Sequence, residues 1–214
     1  AAALELLHNF TLIHDDIEDA SSFRHGRETV WRVFGQAQAI NTGDGMYTLA
    51  HLALEGLSQA GVEPEVALRA ARLLDEACLS LCEGQYLDLS YERRLDIGWE
   101  VYLEMIGLKT APLLEGSLKL GALLGTDDEE LIQCVGLFGR KLGLAFQIRD
   151  DVLGIWGEEK ATGKSPVDIE KRKKTLPVLC GLEKAQGEEK EELLRLYSRE
   201  YLGPEEVSKV LRLL

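Results

Sequence analysis

The sequence predicts an all-α fold, a bundle of long antiparallel helices around a central cavity. Apolar residues recur three and four apart along nearly every segment, which is the period of one helix face. Gly and Pro turn signals are widely spaced, so the stretches between them are long. No hairpin signal or alternating apolar–polar strand pattern competes with this reading. Residues 1–14 place Leu4, Leu7 and Leu12 at helical spacings. Two long patterns, 36–57 and 65–90, flank "SQAGVEPE", where Pro64 suits a helix start. Residues 99–125 form another, which Pro112 should kink. "TDDE", 126–129, has the form of a capping box and opens a helix to about 153. A polar loop with glycines, "GEEKATGKSPVDIEKRKK", leads to shorter helices, the last after Gly203 and Pro204. The chain opens on "AAALELLHNF", a helix already under way with no capping residue before it. Residues 1–214 are therefore expected to be one domain that is incomplete at its N-terminus, with helices missing there.

Composition narrows the function. The 214 residues suffice for one domain with a substantial core, and 45% hydrophobic with 29% charged residues is ordinary for a globular protein. A formal charge of −13 argues against a nucleic-acid surface, although a small anionic substrate can still be met by metal ions or local cations. No uninterrupted apolar run reaches the length of a transmembrane segment, and no signal peptide is recognisable. Cys78, Cys82, Cys134 and Cys180 have no zinc-site spacing and are expected to be buried free thiols in a reducing, cytoplasmic setting.

Chemistry concentrates in two acidic clusters. In "LIHDDIEDASSFRHGRETVW", Asp15 and Asp19 are four apart and share a helix face, with Asp16 beside them. Like charges at that spacing repel unless a cation lies between them, and hard carboxylate oxygens suit Mg²⁺. An acidic solvated helix end would explain this stretch alone. It does not explain "GLAFQIRDDVLGIWG", where Asp150 and Asp151 end a second apolar helix behind Gln147. Facing one another across a bundle cavity, two such clusters would cage metal ions around a polyanion. Basic groups follow each cluster: Arg24, His25 and Arg27 after the first, Lys164 and the run 171–174 after the second. Lys109 and Thr110 add a cation and a hydroxyl in mid-helix. Carboxylates, metal and cations together describe a diphosphate site.

These motifs, in this order, resemble the trans-isoprenyl diphosphate synthases, the group of the farnesyl and geranylgeranyl diphosphate synthases. The resemblance is carried by "HDDIED", "FRHGRETVW", "GDGMYTLA", "GQYLDL", "GLKTAPLLEGSLKLGALLG", "FQIRDD" and "GK…DIEKRKKTLP", and it covers essentially the whole chain. It implies the isoprenoid synthase type of helical bundle and a homodimer. It implies that Asp15, Asp16 and Asp19 bind Mg²⁺ and the allylic diphosphate, and that Asp150 and Asp151 serve the second metal motif, three ions in all. Gly154 stands where that motif ends in aspartate. Arg24 matches the first of a pair of arginines and His25 replaces the second, at the isopentenyl diphosphate site. Lys109 and Thr110 match residues touching the allylic diphosphate, Gln85 and Asp88 line the cavity, Gln147 belongs to the second motif, and Lys164 and Lys173 close over the diphosphate. An upstream glycine-lysine-arginine motif of the family is absent from these residues. Family members limit product length with bulky residues four and five positions before the first aspartate; here these are Thr11 and Phe10, a half-open floor that favours a C20 over a C15 product.

The resulting expectation is a Mg²⁺-dependent transferase that condenses isopentenyl diphosphate head-to-tail with an allylic diphosphate. A class I terpene cyclase would carry an Asn/Ser/Glu metal triad where this chain has "QIRDD". A di-iron bundle needs two Glu-x-x-His motifs, and only Glu5 to His8 has that form. A non-catalytic prenyltransferase subunit is the remaining alternative.

Overall fold

The helical period is realised from the second residue onward. A computed structural model describes residues 1–92, 94, 96–157, 167–170, 172–199 and 201–214. Its elements run α1 (Ala2–Glu18), β1 (Phe23–Arg24), β2 (Arg27–Glu28), α2 (Val30–Phe34), α3 (Gln36–Gln59), α4 (Pro64–Tyr91), α5 (Trp99–Lys109), α6 (Ala111–Leu123) and α7 (Glu129–Trp156), then α8 (Val167–Glu170), α9 (Leu176–Lys184), α10 (Gly187–Tyr197) and α11 (Pro204–Leu213).

Two compact units emerge. The first comprises residues 1–81 and 112–140. Leu7, Ala50, Leu74 and Cys78 form its principal core, with Leu4, Phe10, Tyr47 and Leu113 packed around them. A second cluster in the same unit joins Ala70, Leu120, Leu123 and Ile132. Leu7 and Leu74 are fully buried, each contributing about 1.5–3 kcal/mol relative to exposure. The second unit comprises residues 82–111 and 141–214. Ile97, Tyr102, Met105, Ile106 and Leu179 form one of its cores, and the short C-terminal helices close around Ile169, Val178, Leu193, Leu196 and Val210.

Four expectations need correction. A small antiparallel hairpin, β1–β2, interrupts the helices, pairing Phe23 with Glu28 and Arg24 with Arg27. Its turn residues His25 and Gly26 both have positive φ, 50° and 74°, the backbone of a two-residue hairpin turn. The helix expected over 99–125 is broken rather than kinked. Thr110 caps α5, and Pro112 occupies the first turn of α6, where a missing N–H costs nothing. The cap of α7 is Asp128 rather than Thr126, because Asp128 Oδ1 accepts the Leu131 N–H at 3.0 Å. Of the four free cysteines only Cys78 is buried; Cys82 and Cys134 are exposed.

One helix among the described residues, Glu129–Trp156, is long and apolar enough to cross a membrane by length and composition. A Cβ at Gly143 would lie 2.6 Å from the Ala111 Cα, so the helix closes on α6 there, and its Asp151 is buried.

Candidate active site

In the first unit the acidic cluster sits where α1 unwinds. The Asp19 N–H donates to the Asp15 carbonyl at 2.9 Å and the Ser21 N–H to the Asp16 carbonyl at 2.9 Å, so both aspartates lie in the last turn. Asp19 is the C-cap and Ala20 turns the chain with φ 50°. The Ser21 carbonyl then accepts two side-chain donors, Thr29 Oγ1 at 2.8 Å and Trp31 Nε1 at 2.7 Å. Those bonds tie the base of the hairpin to the helix end and bring Arg24 back over the carboxylates. Its Nε donates to Asp16 Oδ1 and its Nη2 to Asp15 Oδ2, each at 3.0 Å.

This guanidinium acts as counter-ion to two adjacent carboxylates. Burial opposes its charge, but Asp16 and then Asp15 outweigh that cost and hold its pKa above the ordinary arginine value. The cluster therefore favours positive charge, and its hard carboxylate oxygens suit Mg²⁺. Among the described residues no three His, Cys, Asp or Glu side chains are grouped closely enough to hold a metal ion by themselves. Mg²⁺ usually takes only one or two carboxylates and completes its shell with water and substrate phosphate, so the donor set fits an ion that arrives with a diphosphate. His25, expected at an anion site beside Arg24, is exposed at the hairpin tip.

The second unit builds its polar cluster from three helices. At Gly84 a Cβ would lie 2.2 Å from the Lys109 backbone nitrogen, so α4 and α5 approach as only glycine permits. One turn beyond, Asp88 Oδ2 accepts Lys109 Nζ at 2.5 Å, and half-buried Gln85 lies between those two positions in sequence. The Gly143–Ala111 approach places Gln147, one turn further along α7, against Thr110. Thr110 Oγ1 donates to Gln147 Oε1 at 2.8 Å, and Gln147 Nε2 donates to Asp151 Oδ1 at 3.0 Å.

The two aspartates of the second motif differ in surroundings. Asp150 is half-buried. Asp151 is buried, and its other oxygen accepts the Tyr102 hydroxyl and the Leu176 N–H, the latter at 3.1 Å. Burial raises its pKa, against the lowering effect of the donors from Tyr102, Gln147 and Leu176. Burial and the Asp151 charge also raise the Tyr102 pKa, so that hydroxyl stays protonated and donates. Asp151, expected as a metal ligand, thus has both oxygens engaged inside the protein. It orients Gln147, and through it Thr110.

Lys173 is exposed beside Lys174, which anchors the segment by donating to the Tyr91 carbonyl at 2.8 Å and to the Glu92 carbonyl. Burial pulls the Lys174 amine down to about 8. Lys164 lies outside the described residues. Of the expected length-limiting pair, Thr11 turns its hydroxyl onto the His8 carbonyl at 2.8 Å, and the Phe10 ring packs against His14 and Tyr47. Sequence reasoning missed Tyr102, Gly84 and Gly143. In "GQYLDL" the polar residues stand out by type, while its glycine sets the helix crossing.

The polyprenyl synthetase family model matches residues 1–214. A geranylgeranyl diphosphate synthase of Mycobacterium tuberculosis is 44% identical over 199 residues, covering 92% of this chain and 55% of its own. A short chain isoprenyl diphosphate synthase of Methanocaldococcus jannaschii is 38% identical, covering all of this chain and 64% of its own. The crystal structure of a geranylgeranyl pyrophosphate synthetase from Pyrococcus horikoshii superposes with a TM-score of 0.88 at 39% identity, over 99% of this chain and 63% of that one. This chain thus spans between a half and two thirds of the length of these relatives.

Proposed function

The chain belongs to the polyprenyl synthetase family, and from that premise we propose that it condenses isopentenyl diphosphate with an allylic diphosphate to give a short-chain prenyl diphosphate, C20 in preference to C15. The observation that carries this reading is the clasp of Arg24 on Asp15 and Asp16, a carboxylate pair that holds a cation at the end of an apolar helix. Names among the relatives, geranylgeranyl, farnesyl and short chain isoprenyl diphosphate synthase, support the substrate class.

Asp15, Asp16 and Asp19 are the residues of the first unit that would hold Mg²⁺ with the allylic diphosphate, and Asp150 is the carboxylate of the second unit that would hold Mg²⁺. Bound Mg²⁺ supplies stabilisation of the negative charge that builds on the departing diphosphate. With Mg²⁺ on the carboxylates, Arg24 would be free to present its fork of donors to a diphosphate. Lys109 presents an ammonium and Thr110 a hydroxyl to diphosphate oxygens. The Gln147–Asp151–Tyr102 network fixes Thr110 before substrate binds, which lowers the cost of organising the site. The allylic C–O bond breaks with its electron pair leaving on the diphosphate. The double bond of isopentenyl diphosphate then attacks the allylic carbon, and a proton departs to the released pyrophosphate. Leu4 and Leu12 offer the tail an apolar lining that keeps water from the cation. The small Thr11, with its hydroxyl bonded back to its own helix, leaves the floor open on one side, which favours the longer product.

A homodimer in the cytoplasm completes the proposal. Exposed Leu49, Leu52 and Leu79 of the first unit support a protein partner, and four free cysteines suit a reducing compartment. The direct test incubates the protein with labelled isopentenyl diphosphate and geranyl or farnesyl diphosphate, reading products by mass spectrometry. Labelled prenyl diphosphate should form with Mg²⁺, stop with EDTA and resume when Mg²⁺ is restored. Hydrocarbon released from the allylic substrate alone would move the chain to the terpene cyclases.

A further inference from the structure

Lys109 and Thr110, neighbours where α5 ends, are each held by a different helix of the second unit. Lys109 Nζ donates to Asp88 Oδ2 in the last turn of α4, and Thr110 Oγ1 donates to Gln147 Oε1 of α7. Gln147 Nε2 in turn donates to Asp151 Oδ1. These two lines of contact meet again on one short segment, residues 174–176, which enters α9 through its N-cap Thr175.

That segment is pinned at both ends. Lys174 Nζ donates to the Tyr91 carbonyl at 2.8 Å and to the Glu92 carbonyl, and the Leu176 N–H donates to Asp151 Oδ2 at 3.1 Å. Thr175 between them is buried. Tyr91 is the last residue of α4, so the ammonium sits at a helix C-terminus, where carbonyls lack intrahelical donors and the dipole favours a cation. The Tyr91 carbonyl also accepts the Arg94 N–H at 3.0 Å, and Lys174 takes its second lone pair. Burial lowers the Lys174 pKa, so this placement costs the ammonium hydration that a surface lysine keeps. Asp88 lies one helical turn before these carbonyls. A closed circuit therefore runs from Lys109 through Asp88, the end of α4, Lys174, Leu176, Asp151 and Gln147 back to Thr110.

We propose that Lys174 is a positioning residue for a diphosphate site: by holding the last turn of α4 to the segment that Asp151 anchors, it sets where Asp88 presents Lys109 beside Thr110. The inference rests on Lys109 and Thr110 meeting diphosphate oxygens. Lys174 spends its own donors on backbone carbonyls, so it acts through Lys109 rather than on the ligand. Without the clasp the end of α4 frays and Asp88 moves with it, and Lys109 must then be ordered when the ligand binds. A lysine that only capped α4 would change stability and leave diphosphate affinity as it was.

The test is a double-mutant cycle on the affinity for a farnesyl thiolodiphosphate analogue, with Mg²⁺, measured by calorimetry. Lys174→Met, which removes the ammonium and keeps the bulk, should weaken binding about five- to tenfold. Lys174→Arg, which keeps a cation for the carbonyls, should bring affinity back to within about twofold. Lys109→Met should weaken binding alone, and adding Lys174→Met to it should cost nothing further, because the route through Lys109 is already cut. Thermal midpoints by circular dichroism show that each variant is folded; if Lys174→Met is not, the neutral donor in Lys174→Gln takes its place in the cycle. Unchanged affinity in Lys174→Met, beside weakened binding in Lys109→Met, overturns the positioning role while the function stands. A Lys174→Met loss that is undiminished in the Lys109→Met background overturns it too, since Lys174 would then act independently of Lys109. Failure of the unsubstituted protein to bind the analogue, or of Lys109→Met to weaken it, overturns the reading of Lys109 and the positioning role with it.

Discussion

Asp15→Ala is expected to lower turnover by at least about 100-fold, a loss of roughly 3 kcal/mol or more of transition-state stabilisation. The carboxylate lies in the last turn of α1 beside Asp16, and one arginine serves both. On the proposed function, removing Asp15 would delete a cation ligand where charge must be drawn from the leaving diphosphate. It also relieves repulsion between neighbouring carboxylates and leaves Arg24 its bonds to Asp16. The folding free energy should therefore move by no more than about 1 kcal/mol. Measuring kcat beside the thermal midpoint separates the two effects. Full turnover in this variant would remove Asp15 from the cation site, and a collapsed midpoint would make it a structural residue.

Gly84→Ala should be the most damaging small substitution in the second unit. Its Cβ would sit 2.2 Å from the Lys109 nitrogen and 2.5 Å from the Leu108 carbonyl carbon, backbone atoms that cannot rotate aside. Helix α4 must then retreat from α5, at a cost of about 1–3 kcal/mol or somewhat more. The retreat carries Asp88 away from Lys109, so the ammonium loses the partner that orients it, and turnover should fall about tenfold or more. Urea unfolding monitored by circular dichroism gives the first quantity and steady-state kinetics the second. An unshifted urea midpoint would mean the helices are not in contact at Gly84.

Much of this was legible in the sequence, for reasons tied to particular residues. The helices were visible because Leu4, Leu7 and Leu12, and their counterparts further on, repeat with the helical period. The acidic ends stood out because Asp15, Asp16 and Asp19 concentrate like charge at a spacing that costs stability without a cation. The hairpin was hidden because its first turn position is His25, where asparagine or aspartate would have signalled positive φ. Tyr102 was hidden because its partner Asp151 is 49 positions away, a pairing that only tertiary structure makes. For the same reason Asp150 and Asp151 looked equivalent by residue type, when three helices converge to engage one of them. Gly84 and Gly143 are ordinary glycines until another backbone is found pressed against each.

Asp15 and Asp16 are proposed to hold divalent cation together with diphosphate, displacing Arg24. Titrating Mn²⁺ into the protein while the free-ion signal is followed by electron paramagnetic resonance tests this without turnover. With a farnesyl thiolodiphosphate analogue present, the protein should take up about three ions tightly. Without the analogue it should take up few and weakly, because the carboxylates alone leave the shell incomplete and Arg24 competes for them. Asp15→Ala should abolish most of the analogue-dependent uptake. Equal uptake with and without the analogue, unchanged in Asp15→Ala, would contradict the claim.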